Sequence, residues 1–433
     1  MLAPGSPPSS PNRRMSEKRR IKVVFLTFYF EAWDALADVH TLMAADARFD
    51  VTVASINRRF TGDSGFAEEE QVSAYFDEIG VDHIRLNEVD SFEGLARLRA
   101  LAPDYVFINY PWQRNYPPAY RVDHLIEFTR VCYVPYYSLP IVNEPGVTGA
   151  APHLYQQRSH QLASLVFTQD PAVVEGYAHT SRGNSHVHLT GTPKIDALVR
   201  QANSGVTRWP LPPSKNLRMV WAPHHSYSAD WLNFGLFAEI HEAMLEFART
   251  TPNLEIVMRP HPFLMGTMVD RGLISQDALT SWLAAWNALP NTAIDEDGDA
   301  AHLFNATDLF VTDGISFLGE YPLATNKPTI FMEKPGHWEF SPLGALVAEA
   351  NIRVNSFAQF EMVFDEIRQH GLPEYYREIN RLRDAASPHP GRAAAEIIEI
   401  VATDFAVGSP LVDPALVTEV AWENRPGAEP AWD

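Results

Sequence analysis

Cysteine is almost absent from this chain: Cys132 is the one such residue in 433. That count excludes a disulfide framework and any cysteine-built metal centre, and the apolar run Val131-Cys132-Tyr133-Val134 makes the thiol a buried packing group rather than a nucleophile. Positive charge is also scarce. With 34 Lys and Arg against 54 Asp and Glu, the formal charge is -20, which argues against a nucleic-acid partner and against broad adhesion to anionic membranes, while leaving room for a local positive pocket. No stretch approaches the roughly 18 to 20 uninterrupted apolar residues that span a bilayer. Solenoid-type repeats of about 20 to 50 residues are missing too. The first twenty residues are Pro/Ser-rich and then basic, without the apolar run of a signal peptide, so residues 1–20 are expected to be a disordered extension and the protein to be cytoplasmic.

What is present is an ordinary globular composition, 46% hydrophobic, over a length sufficient for two or three domains. From Ile21 onward, short β-rich runs alternate with helical ones. Strands are expected at Ile21 to Phe28, Val51 to Ile56, His83 to Leu86, Tyr105 to Asn109, Val131 to Val134, Ser164 to Phe167 and Val187 to Leu189, with helices between them that include Trp33 to Ala45 and Pro118 to Arg130. Such alternation predicts a doubly wound parallel sheet with helices on both faces. Residues 201–216 collect Pro, Ser, Gly and Asn without apolar periodicity and read as a linker between domains 21–200 and 217–390. The second domain repeats the alternation, with strands expected at Leu217 to Trp221, Leu254 to Met258, Leu309 to Thr312 and Pro328 to Met332, and a helical insertion at Gln276 to Leu289. An amphipathic helix, Ala393 to Phe405 within residues 391–407, precedes a Pro-rich tail, 408–433, expected to be flexible.

Three segments of the second domain place polar chemistry just after a strand: Trp221-Ala222-Pro223-His224-His225-Ser226, Arg259-Pro260-His261-Pro262 and Thr312-Asp313-Gly314-Ile315-Ser316. In an open parallel sheet the loops leaving the carboxyl ends of the strands share one rim, where ligands bind. Gly314 permits a sharp turn and Ser316 is expected to cap a helix through Phe317 to Ala324, whose free N–H groups and positive dipole end suit phosphate. An ordinary capped strand-to-helix turn is the competing explanation. Two prolines around His261 stop both strand and helix and fix the imidazole in a loop, where Arg259 would pair with phosphate oxygens; a structural ion pair is the alternative for that arginine. His224 and His225 are adjacent, so one of the two is expected to face the pocket, and His224 is the choice. A metal would have to gather His224, His225, His261 and Asp313, but no recognised ligand spacing is present, so neither metal nor cofactor is expected. Glu320, one turn beyond Ser316, is placed to reach a ribose hydroxyl or else is a solvated helix carboxylate. Aromatics at Tyr110, Trp112, Tyr133, Tyr136 and Tyr137 would line an acceptor cleft or pack a core.

These residues carry a resemblance to the CDP-glycerol glycerophosphotransferases, the teichoic-acid primases and polymerases, and related capsule polymerases. Gly191-Thr192-Pro193-Lys194-Ile195-Asp196 resembles that family's "G-x-P-[RK]-x-D", and Met219 to His224 its strand followed by "A-P". Arg259 to Pro262 is similar to its "R-x-H" loop, Asp308 to Ser316 to "D-x-x-[IV]-T-D-x-S-S", and Lys327-Pro328-Thr329-Ile330-Phe331 to "[KR]-P-[IV]-[IV]-F". The resemblance implies a glycosyltransferase-B fold, two Rossmann-like domains facing a cleft, with the CDP-activated donor on the second domain and a glycan or lipid-linked acceptor on the first. It further implies that His261 and Arg259 stabilise the pyrophosphate while Pro223, Thr312, Asp313, Gly314 and Ser316 line the nucleotide and phosphate pocket. Where the family has a "W-H-G-T" histidine the chain reads Tyr133-Val134-Pro135-Tyr136-Tyr137-Ser138, so His224 would be the acceptor base, with His40 and His153 as alternatives. Membrane contact would then be peripheral, at the inner face of the plasma membrane and through a partner.

Three functions are compatible with these residues: transfer of a polyol phosphate from a CDP-activated donor, a UDP-sugar glycosyltransferase or 2-epimerase, and an inactive binding or scaffold protein of the same fold.

Overall fold

The structure is a computed structural model that describes residues 19–59, 63, 65–296 and 300–425. All but Arg19 and Arg20 of the extension expected over residues 1–20 lie outside the described residues.

Among the described residues, the chain forms two parallel sheets. The first contains β1 (Ile21–Thr27), β2 (Phe49–Ile56), β3 (His83–Leu86), β4 (Tyr105–Ile108), β5 (Arg130–Tyr133), β6 (Leu165–Thr168) and β7 (Val187–Leu189), in the order β3-β2-β1-β4-β5-β6-β7. The second contains β8 (Leu217–Ala222), β9 (Leu254–Met258), β10 (Thr292–Ile294), β11 (Leu309–Thr312), β12 (Ile330–Met332) and β13 (Ile352–Val354), ordered β10-β9-β8-β11-β12-β13. Central strands read as near-continuous apolar runs because helices cover both faces of each sheet. Val23, Val24, Phe25 and Leu26 in β1, and all five residues of β9, are buried accordingly. In both sheets the chain direction of the order reverses beside the first strand, between β1 and β4 and between β8 and β11.

The helix Ala393–Val407 returns to the first domain, where Ala394, Ile397, Ile398 and Val401 join a core with Phe25, Trp33, Leu36 and Phe49. Its entry is fixed by Asp196, whose carboxylate accepts the Gly391 and Ala393 amides at 2.8 and 2.9 Å. The helix Pro193–Ala202 that carries Asp196 packs against Asp34–Ala45 of the first domain and Ile315–Thr325 of the second. A further crossing is made by the chain after β5. Val142 pairs with Phe340 in an antiparallel bridge, and Ile141 shares a core with Leu318, Phe331 and Leu343 of the second domain.

Two expectations are corrected. Pro118 to Arg130 is not one helix but a 3-10 turn, Pro118–Tyr120, and a single α-turn, Val122–Leu125, separated by Arg121 in extended conformation. The Gln113 side chain takes the Val122 amide at 2.6 Å, and that bond replaces the one that would continue the first turn. The tail expected to be flexible is anchored at Ala421 and Trp422, while most of residues 408–420 are exposed. Trp422 is 4% exposed against Trp112 and His153, and its amide donates to the Gln156 carbonyl at 2.8 Å. Residues 426–433 lie outside the described residues. Cys132 is fully buried, and desolvation pushes its thiol well above the ordinary value, in keeping with a packing role. No helix of the described residues is long and apolar enough to cross a membrane.

Candidate active site

The reversal of strand order between β8 and β11 opens a crevice at their carboxyl ends, the place where ligands bind in such sheets. The backbone beyond β9 keeps pairing with β8: the Arg259 amide donates to Trp221 O at 2.8 Å and the His261 amide to Pro223 O at 3.1 Å. Pro223 thereby fixes the His261 loop through its carbonyl. On the other side, Thr312 Oγ1 donates to Ala222 O at 2.7 Å and accepts the Gly314 amide at 2.9 Å. Asp313, 2% exposed, accepts the His224 amide at 2.6 Å and the Leu236 amide at 2.5 Å. Burial pushes its carboxyl up to about 7 in spite of those two donors. Thr312 and Asp313 therefore brace the crevice from behind, tying β11 to the loop after β8.

Those braces bring His224, His225 and His261 together. Ring centroids are 4.6 Å apart for His224 and His225, 5.3 Å for His224 and His261, and 3.8 Å for the near-parallel stack of His225 on His261. One ligand-capable nitrogen of each lies within 4.8 Å of the others. The expectation that only one of the adjacent pair faces this place is thus corrected, because the chain turns sharply enough after Pro223 for both rings to point inward. Burial, then the neighbouring imidazoles, keeps His224 well below the ordinary histidine range. Burial lowers His225 to about 2 and His261 to about 4. All three rings are uncharged at neutral pH.

Gly314, not Ser316, is the N-cap of the helix Ile315–Thr325, in extended conformation. A Cβ there would sit 3.2 Å from His224 Cδ2, so the imidazole lies directly on the opening of the helix. Ser316 falls in the exposed first turn. The reason is that Thr312 closes the turn two residues earlier than a Ser316 cap would. Arg259 lies beside the same turn, 5.9 Å from the Phe317 ring centroid, and is ion-paired with Asp295, whose other oxygen binds Arg208 at 2.7 Å. Asp295 follows β10, a strand absent from the sequence reading; an acidic residue at the end of Thr292-Ala293-Ile294 was its available signal. Glu320 is neither solvated nor free. It accepts Ser138 Oγ of the first domain at 2.6 Å in a buried contact, close to Lys194. Burial opposes the Lys194 charge, yet Asp34 at 3.2 Å and Glu320 hold its ammonium above the ordinary lysine range.

Across from the second domain, the rings of Tyr29, Tyr110 and Tyr136 meet one another within 5.7 Å and form part of the first domain's rim. The histidines weighed as alternative bases lie elsewhere. His40 packs on Phe25 and Trp33, and His153 binds Glu144 at 3.0 Å.

No family model matches the chain, and no curated protein matches it in sequence. Solved structures match its fold. UDP-GlcNAc 2-epimerase from Neisseria meningitidis, bound to UDP-GlcNAc, superposes with a TM-score of 0.58 at 14% identity, covering 89% of this chain and 100% of that one. The UDP-GlcNAc 2-epimerase of Methanocaldococcus jannaschii, in complex with UDP-GlcNAc and UDP, gives 0.51 at 12%, over 89% and 100%. The wall teichoic acid polymerase TagF gives 0.54 at 12%, over 90% of each chain. The chain has the glycosyltransferase-B fold, two Rossmann-like domains whose helices interlock across the interface.

Proposed function

We propose that this chain is an enzyme that binds a nucleoside-diphosphate-activated donor on its second domain and transfers a polyol-phosphate unit from a CDP-activated alcohol to a glycan or lipid-linked acceptor in cell-envelope polymer synthesis. The observation that carries the reading is the cluster of uncharged imidazoles against the Gly314 opening of the Ile315–Thr325 helix. A helix N-terminus and neutral N–H donors stabilise phosphoryl oxygens without a full positive charge. In the reaction, the acceptor hydroxyl oxygen bonds to the β-phosphorus, the bond from that phosphorus to the bridging oxygen breaks, and CMP departs with the electron pair. The hydroxyl proton passes to a base. Protein catalysis of such a step is chiefly positioning and charge stabilisation. Pro223, Thr312 and Asp313 hold the pocket's shape, Gly314 and Ser316 offer the helix opening, and His224, His261 and Arg259 face the diphosphate. Glu320 would serve the ribose after releasing Ser138. The enzyme would work in the cytoplasm, reaching a membrane-borne acceptor through a partner.

A UDP-sugar-dependent activity, either glycosyl transfer or 2-epimerisation, is the second reading. It is favoured by the place where a "W-H-G-T" histidine would stand: the chain there offers buried Tyr133 and Ser138, the latter bound to Glu320. Likeness of fold to UDP-GlcNAc 2-epimerases is compatible with it.

Thermal unfolding against CMP, CDP-glycerol, CDP-ribitol, UDP and UDP-GlcNAc separates the readings, since a ligand at a hundredfold its Kd stabilises by about 2.7 kcal/mol. Stabilisation by cytidine nucleotides that His261→Ala abolishes is the expected result. Selective response to uridine nucleotides would transfer the assignment to sugar chemistry. No response to any nucleotide would leave an inactive scaffold and sink both enzymatic readings.

A further inference from the structure

A neutral imidazole carries one proton, and the group facing its other nitrogen decides where that proton sits. The Phe263 amide donates to His261 Nδ1 at 3.2 Å. A backbone N–H is always a donor, so Nδ1 must present its lone pair and the ring proton must reside on Nε2. The same logic applies to His224. The Ser226 amide donates to His224 Nδ1 at 3.3 Å, and Ser226 Oγ, which accepts the Phe234 amide at 3.0 Å, lies 2.8 Å from the same nitrogen and is free to turn its hydrogen toward it. Ser226 is fully buried, so water does not compete for these bonds.

We infer that His224 and His261 are locked as Nε2–H tautomers and act in the reaction solely as hydrogen-bond donors, with Ser226 and the Phe263 amide as the positioning groups that lock them. A second proton could enter either ring only at Nδ1, where it would confront an N–H. Neither ring can therefore take the proton of an acceptor hydroxyl, and the reading of His224 as acceptor base gives way to a base outside this pair. A divalent metal held by the three histidines is disfavoured by the same bonds, because ligation through Nε2 would turn an Nδ1–H toward an amide and ligation through Nδ1 would displace that amide. Burial acts in the same direction as these bonds. The titratable and charged groups around the pair are His225, stacked on His261; Asp313, bound to the His224 amide; Arg271, beyond His225; and Arg259 on the His261 loop. None of them supplies an acceptor to either Nδ1. The donor role rests on the nucleotide reading above, whereas the tautomer does not.

The test is a long-range proton–nitrogen correlation spectrum of full-length protein labelled with nitrogen-15 in histidine, with His224→Gln and His261→Gln for assignment, recorded between pH 5 and 8. Both rings are expected to show an unprotonated Nδ1 and a protonated Nε2 throughout. An Nδ1–H form, or titration near the ordinary value of about 6.5 in either ring, overturns the proposal. Phe263 has φ -87°, within reach of proline, so Phe263→Pro removes the amide hydrogen while Phe263→Ala keeps it. His261 should show an Nδ1–H form in the proline variant alone; that form in both variants or in neither counts against the lock. CDP-glycerol and UDP-GlcNAc, whose diphosphates have no proton to lose in this range, are the binding probes. Either one, once bound, should shift both Nε2–H signals and leave both Nδ1 signals in place. A probe that binds without moving them refutes the donor role. If neither probe binds, the nucleotide reading and the donor role fall together, and the free-protein spectra alone decide the tautomer.

Discussion

At Gly314 the requirement is for space, since its φ of -95° is open to any residue. An added Cβ would stand 3.2 Å from His224 Cδ2, 3.3 Å from His224 Cβ and 3.4 Å from Thr312 Oγ1. The backbone here is held by Thr312 and Asp313, so the imidazole is the part that must give. Gly314→Ala should therefore lower stability by about 1–3 kcal/mol, the usual cost of overpacking, and remove most of the nucleotide-induced rise in Tm. Thermal unfolding with and without nucleotide checks this, and an undiminished nucleotide response would show that His224 is not part of the ligand site. The residues of this crevice were readable in sequence because proline and glycine mark the strand ends that present them. Their partners were not. Ser138 lies 182 positions from Glu320 and Asp295 lies 36 from Arg259, separations over which a local pattern holds no information.

Elements with strong periodicity were legible to within a residue or two. Strands β3, β7, β9 and β11 occupy the stretches their composition indicates. Strands β10 and β13, the two edges of the second sheet, were missed: each is three residues long and is held by a single neighbouring strand. The terminal segment is the sharper case. Its sequence is rich in proline and lacks periodicity, yet one indole, Trp422, inserts between Trp112 and His153 and fastens it to the first domain. Trp422→Ala should cost about 3–5 kcal/mol if that contact is part of the cooperative unit. Urea unfolding measures the loss, and limited proteolysis should then cut between Gly408 and Trp422 in the variant but not in the parent. Equal protease resistance in both would mean that the indole does not hold the segment.

For the molecule as a whole, buried histidines set the response to acid. His160, 1% exposed, and His186, 8% exposed, are each held to about 3, in both cases chiefly by burial. In the unfolded chain they take protons near 6.5. As pH falls below that value the unfolded state binds protons that the folded state refuses, so stability is lost at about 1.4 kcal/mol per pH unit for each histidine. Asp313 works the other way. Its folded value of about 7 lies above its ordinary 3.8, so the folded state binds its proton first, and its contribution falls as pH rises through that interval. Between pH 5.5 and 6.5 the two histidines outweigh the single carboxyl, and His225 and His261, also depressed, add to their side. Net stability should therefore fall by roughly 3 kcal/mol between pH 7 and pH 5.5. Urea unfolding at the two values, on the parent and on a His160→Gln, His186→Gln double variant, separates this cause from others. The variant should begin less stable at pH 7 and lose less on acidification. A parent protein as stable at pH 5.5 as at pH 7, or a variant with an unchanged acid dependence, would show that these two imidazoles are not the groups whose burial opposes protonation.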